Sequence, residues 1–170
     1  MSTPTENNQE PVTPEHLREA LGQFATGVCV VTSPGTTEAP APFAITVNSF
    51  AAVSLEPPLI LWSIQKSATT YALWCDTVTF AVNILNADQA DVCARFAIRG
   101  NHGLPHAGDY IDTAAGNPAI PGALAVFDCH TTERIDAGDH TILLASVSDV
   151  RVDNVPAPLI YHRGDILAAP

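Results

Sequence analysis

The chain predicts a mainly β protein, a closed or partly closed antiparallel barrel with a few short flanking helices. Three observations carry this expectation. About seven β-branched or apolar strand patterns follow one another through the 170 residues, with about three short helical patterns among them. Few of them alternate as strand–helix–strand, and no G-x-G-x-x-G follows a strand, which sets aside a doubly wound nucleotide fold. Two long strand patterns, Ala123 to Ile135 and His140 to Val152, flank the turn Asp136-Ala-Gly-Asp139, a hairpin signature. Barrel closure is the economical way to remove the edges of such a sheet.

In chain order, residues 1–12 are rich in Asn, Gln, Glu, Thr and Pro and read as a disordered tail, leaving 13–170 as one domain. Thr13-Pro14 supplies an N-cap and a proline at the first helical position. Leu17, Ala20, Leu21 and Phe24 continue at helical spacing, so a helix is expected from 14 to about 25, ended by Gly27. Val28 to Thr32 is a β-branched strand, and Ser33 to Pro40 is turn chemistry. Pro42 to Ile64 reads as two strands joined through Glu56-Pro57-Pro58. In its first half Phe43, Ile45 and Val47 alternate with Ala44, Thr46 and Asn48, as on the two faces of a strand. Its second half, Leu59 to Ile64, is apolar enough for burial on both faces. A polar loop, Gln65 to Thr70, leads into a short helix at Tyr71 to Trp74. Val78 to Leu85 is a strand, and Asn86 with Gln89 fits a capping box for a helix over about 87–97. Glycines and prolines make 99–121 a long irregular loop. Leu159 to His162 is a last short strand, followed by a turn at Arg163 to Asp165.

The net charge of −11 argues against nucleic acid and anionic membrane as partners, since both select basic surface. No apolar run reaches the roughly 18–20 residues of a membrane span. The polar start carries no signal-peptide pattern, so the expected location is the cytoplasm. Cys29, Cys75, Cys93 and Cys129 form no C-x-x-C pair and read as reduced packing thiols, with no metal site expected.

Two clusters of polar residues carry the chemistry. Asn48, Ser49 and Ser54 sit among apolar neighbours and need partners, from backbone or from a ligand rich in hydrogen-bonding groups. Lys66, the only lysine, stands with Ser67, Thr69 and Thr70 where a strand meets a helix. That arrangement suits a phosphate cradle, or equally a solvated turn with a serine cap.

Several segments then agree, in order, with one family. Thr46-Val-Asn-Ser-Phe50 with Val53-Ser-Leu55 and Pro57-Pro58-Leu59 resembles the T-(A/V)-N-S-F-x-(S/A)-V-S-L-x-P-P-L segment of the flavin-reductase-like family. These are the small reductases of two-component flavin monooxygenases. Arg18 to Val28, Lys66 to Thr70, Phe80 to Asn83, Phe96-Ala-x-Arg-Gly100, Ala137 to Thr141 and Leu159 to Gly164 are similar to its other motifs, so the likeness spans roughly 14–167. The resemblance implies a Greek-key-like split β-barrel that binds FMN or FAD in a homodimer. It also implies hydride transfer from NADH or NADPH to the flavin, with reduced flavin passed to a separate flavin-dependent oxygenase. Carried over, Thr46, Val47, Asn48 and Ser49 would contact the ring and ribityl groups. The Val53-Ser54-Leu55 backbone would face the ring's pyrimidine edge. Lys66, Ser67 and Thr70 would hold the phosphate, and Phe80, Asn83 and Tyr161 would border the pocket. His140, in the family's Gly-Asp-His, would orient nicotinamide or flavin without acting as an acid or base, since the cofactor carries the chemistry. Ala51-Ala52, where relatives often carry hydroxyls, and the loop after Gly100 depart from the family pattern. A non-catalytic flavin carrier on the same barrel shares every one of these motifs.

Overall fold

A computed structural model describes residues 11–104, 108–153 and 157–168; most of the expected tail, residues 1–10, lies outside them. The chain begins with α1 (Pro14–Leu21), β1 (Thr26–Gly27), β2 (Cys29–Ser33), β3 (Phe43–Val47), β4 (Ala51–Leu55) and β5 (Pro58–Gln65). It continues with α2 (Tyr71–Asp76), β6 (Thr79–Ile84), α3 (Ala90–Ala97), β7 (Ile111–Asp112) and β8 (Pro118–Ala119), and ends with β9 (Ala125–Ala137), β10 (His140–Val152), β11 (Leu159–His162) and β12 (Asp165–Ala168). Seven strands form one antiparallel sheet in the order β3-β2-β6-β9-β10-β5-β4. Two small sheets, β1-β11-β12 and β7-β8, flank it.

The stretch 42–64 forms three strands, not the expected two. Asn48-Ser49-Phe50 interrupts the first half, and β3 and β4 become the opposite edges of the main sheet. The sheet therefore curls into a barrel with a seam between β3 and β5. Ser49 stitches that seam: its hydroxyl accepts from Ser63 N and donates to Ser63 O, both at 3.0 Å. Phe50 leans into the interior against Phe127, ring centroids 5.6 Å apart. The alternation expected for β3 holds, with Phe43 and Val47 in the barrel core and Ala44 in a second cluster on the outer face. β5 departs from expectation: Ile60, Trp62 and Ile64 are buried, while Leu59, Leu61 and Ser63 on the other face are only half-buried.

Inside the barrel Trp62 packs edge-on against Trp74 and Phe80, with centroids 5.0 and 6.0 Å apart. Trp74 also packs edge-on against Phe43 at 4.7 Å, so α2 closes one end of the barrel. All three rings of the Trp62 cluster are fully buried, and truncating one to alanine would cost about 3–5 kcal/mol. On the outer face α3 packs Cys93 and Phe96 against Val28, Val30 and Ala44.

Two helix boundaries differ from expectation. α1 stops at Gly22, whose N–H donates to Arg18 O at 2.9 Å, rather than running to 25. α3 starts at Ala90 because the expected capping pair folds into a turn of its own. Gln89 Oε1 accepts from Asn86 N at 3.0 Å, and the two side-chain amides donate to Gly122 O and Pro121 O at 2.7 and 2.8 Å. The long loop after α3 is less irregular than expected. Ala44 N donates to His102 O at 2.7 Å and Leu104 N to Pro42 O at 3.2 Å, which covers the outer edge of β3.

Candidate active site

The seam of the barrel is a groove. One part, about 230 Å³, is lined by Ile45 to Val47 from β3, Asn48 and Ser49 just after it, Ser63 to Gln65 from β5, Ala68 and His140. It shares Ile45, Thr46, Gln65 and Ala68 with a second part of about 260 Å³, which runs past Ser67, Thr69 and Thr70 to Phe96, Arg99 and His102. Joined, the two parts have the scale of a small-molecule site, roughly 300–1,000 Å³.

Of the residues the sequence singled out, Thr46, Val47, Asn48, Ser49, Ser67, Thr70 and His140 line this groove. Some of their polar atoms already have work. Thr46 Oγ1 donates to Cys93 O at 2.8 Å, tying β3 to α3. The Ser49 hydroxyl holds the seam as described. Asn48, by contrast, is exposed at the end of β3.

His140 reaches the groove from the β9–β10 hairpin. The turn needs Gly138, at φ +67°, as the first of its two central residues. Asp139 Oδ1 lies 2.7 Å from His140 Nδ1. This hydrogen bond, the charge of the imidazole and the more distant Lys66 together hold the Asp139 carboxyl below its ordinary range. With Nδ1 engaged, Nε2 is the ring nitrogen left for a ligand.

The structure does not bring the other singled-out residues to this groove. Phe80 does not border the groove, since it is fully buried in the barrel core. Asn83 is also fully buried, and its amide is spent on structure. Nδ2 donates to Val30 O and Thr32 Oγ1 at 2.9 and 3.0 Å, and Oδ1 accepts from Ile120 N at 2.8 Å. Lys66 turns away from the groove toward Asp136, Nζ to Oδ2 2.9 Å. Tyr161 lines a different hollow, beside Arg18, Gly22 and Arg163. Val53, Ser54 and Leu55 lie on the edge strand β4, also outside the groove of a single copy.

The sequence reading missed Arg99, the only lysine or arginine lining the groove among the described residues. Its Nη2 donates to Ser67 O at 3.3 Å, which joins the end of α3 to the hydroxyl loop. A positive end with hydroxyls, beside walls from Ile45, Ala68, Phe96 and Ile98, suits a ligand that is flat and apolar at one end and anionic at the other. The donor set therefore fits a flavin phosphate ester. Among the described residues no group of three or more His, Cys, Asp or Glu side chains is arranged to hold a metal, and His106 lies outside them. All four cysteines are free. Burial pushes the Cys29 and Cys129 thiols up to about 12, so they serve packing rather than chemistry.

Strand order, seam and groove define the split-barrel class. Residues 21–169 match the flavin reductase like domain, and the chain belongs to that family. It is 45% identical over 134 residues to the FMN reductase (NADH) SmoA of Agrobacterium fabrum, covering 77% of this chain and 72% of that protein. It is 36% identical over 155 residues to HsaB of Rhodococcus jostii, the reductase subunit of a flavin-dependent monooxygenase, covering 91% and 77% of the two chains. Among solved structures it superposes on BorF, the flavin reductase component of a bacterial two-component tryptophan halogenase. The TM-score there is 0.84 at 35% identity, covering 93% of this chain and 99% of that one.

Proposed function

We propose that this protein is an NADH-dependent flavin reductase that binds FMN or FAD in the seam groove and supplies reduced flavin to a separate oxygenase. The observation that carries the reading is the groove itself. It gathers Thr46 to Ser49, Ser67 with Thr70, Arg99 and His140 from four separate stretches of the chain onto one apolar slot. One relative is named for reducing FMN with NADH and another as a monooxygenase's reductase subunit, which supports both the chemistry and the partner. Flavin, when bound, supplies the acceptor for a hydride from nicotinamide.

The chain's own residues bind and orient. Arg99, with Ser67 and Thr70, holds the anionic end. Ile45, Ala68 and Phe96 flank the ring and exclude water. His140, through Nε2, positions nicotinamide or the polar edge of the ring at the other end. These contacts place the two reactants together, which is where a reductase of this kind obtains its rate.

Two copies assemble to complete the protein. The support is apolar surface that one copy leaves open: Leu55 is 95% exposed and Phe24 76%, and no residue of the amphipathic α1 is buried. Four free cysteines suit a reducing compartment such as the cytoplasm.

The test is anaerobic stopped flow with purified protein and FMN or FAD. NADH should bleach the flavin absorbance in the presence of protein and not in its absence. Flavin binding without bleaching by NADH or NADPH would leave a carrier rather than a reductase.

A further inference from the structure

We propose that Lys66 is a positioning residue for His140, and that it takes no part in holding the flavin phosphate. The inference rests on the flavin-reductase reading above. An ammonium group has three N–H donors. Lys66 Nζ directs them at Asp136 Oδ1 (3.0 Å), Asp136 Oδ2 (2.9 Å) and the Gly138 carbonyl (2.7 Å). Its backbone N–H donates to Asp139 O at 2.9 Å. One residue thus holds Asp136, near the end of β9, and both central residues of the β9–β10 turn. No donor is left over for a phosphate, and Lys66 is absent from the lining of both parts of the groove.

The clamp acts on the residue that follows. Asp139 is gripped through its carbonyl by Lys66 and in turn holds His140 Nδ1 through its carboxylate. The next residue after Lys66, Ser67, lines the groove and accepts from Arg99. Lys66 therefore sets the hairpin, and His140 with it, at a fixed distance from the hydroxyl loop. The pair is too open to hold up the fold, with Asp136 81% exposed. Such an ion pair contributes little to global stability, so its loss acts on the turn.

The experiment compares Lys66→Met, Asp136→Asn and the double variant. FMN and riboflavin, which differ by the phosphate, are titrated against each. NADH turnover is resolved into kcat and KM, and His140 ring nitrogens are followed by NMR without flavin. Each single variant should shift the His140 resonances and raise KM for NADH by about three- to tenfold, and the double variant should do no more than either single one. The preference for FMN over riboflavin should stay within about twofold of wild type. Loss of that preference by about tenfold or more in Lys66→Met, or unmoved His140 resonances in both single variants, overturns the proposal. If wild-type protein neither binds flavin nor oxidises NADH, the reductase reading fails by itself, and the His140 resonances still decide whether Lys66 positions the ring.

Discussion

Replacing Asn83 with alanine separates a strut from a ligand contact. The side chain is fully buried and makes three hydrogen bonds, joining β2, β6 and the segment before β9. In Asn83→Ala, the one O–H of Thr32 still has a carbonyl acceptor, Ala81 O or Pro118 O, so its loss is small. The Ile120 N–H loses its acceptor in a buried setting, at about 1–3 kcal/mol. The missing side-chain volume adds roughly 1 kcal/mol. The expected destabilisation is therefore about 2–4 kcal/mol. For a chain of 170 residues this lowers Tm by roughly 4–16 °C. Urea unfolding followed by circular dichroism measures the loss, and flavin titration of the folded protein measures the site. FMN affinity should remain within about twofold of wild type. A variant as stable as wild type to about 0.5 kcal/mol but about tenfold weaker for FMN would refute the strut, because the amide would then face the ligand.

Three further outcomes follow from the site and the core. Arg99→Gln should weaken FMN by about tenfold while leaving riboflavin nearly unchanged, the scale of one charge-assisted hydrogen bond; equal losses for both flavins would place the phosphate elsewhere. Asp139 has a folded-state pKa below its ordinary value, so its ionised form stabilises the turn above the unfolded value, and that contribution is lost as pH falls through the folded one. His140→Ala removes the largest cause, and a carboxyl-carbon NMR titration should show Asp139 return toward the ordinary range; a titration identical to wild type would mean the bond is not made in solution. At pH 8 a disulfide-exchange reagent should titrate about one thiol, Cys75, in the native protein and all four after unfolding; fast reaction of two or more would contradict the buried settings of Cys29, Cys93 and Cys129.

Much of this molecule was legible in the sequence where a local pattern and a packing demand coincide. The hairpin turn, expected over Asp136 to Asp139 and found at Gly138–Asp139, and the full span of β10 are legible because turn chemistry and alternation both act within a few residues. Two of the family motifs, Thr46 to Ser49 and Ser67 to Thr70, lie along the groove. What the sequence does not show is non-local. Nothing within Phe80 to Asn83 says that both side chains are consumed by the core, because their partners come from Trp62, Val30 and Ile120. The sequence does not show the partner that the Lys66 ammonium takes in the structure, Asp136, because it is 70 residues away. Arg99 was hidden for the same reason, 32 residues from the loop it joins. The break between β3 and β4 could not be read from hydropathy, since a strand leaving one sheet edge for the other keeps its apolar pattern.

The two tryptophans also give the protein an internal reporter. Both indoles are fully buried in one cluster, and Ile45, Val47, Ile64 and Ala68, which belong to or pack on that cluster, also line the groove. Their emission therefore belongs to the barrel interior alone, with no contribution from a solvent-exposed indole. A chromophore that absorbs in the near ultraviolet and blue, seated a side chain's thickness away, would drain that emission by energy transfer. Occupancy of the groove and integrity of the barrel thus register on one optical signal, the first as a loss of intensity and the second as a shift to longer wavelength.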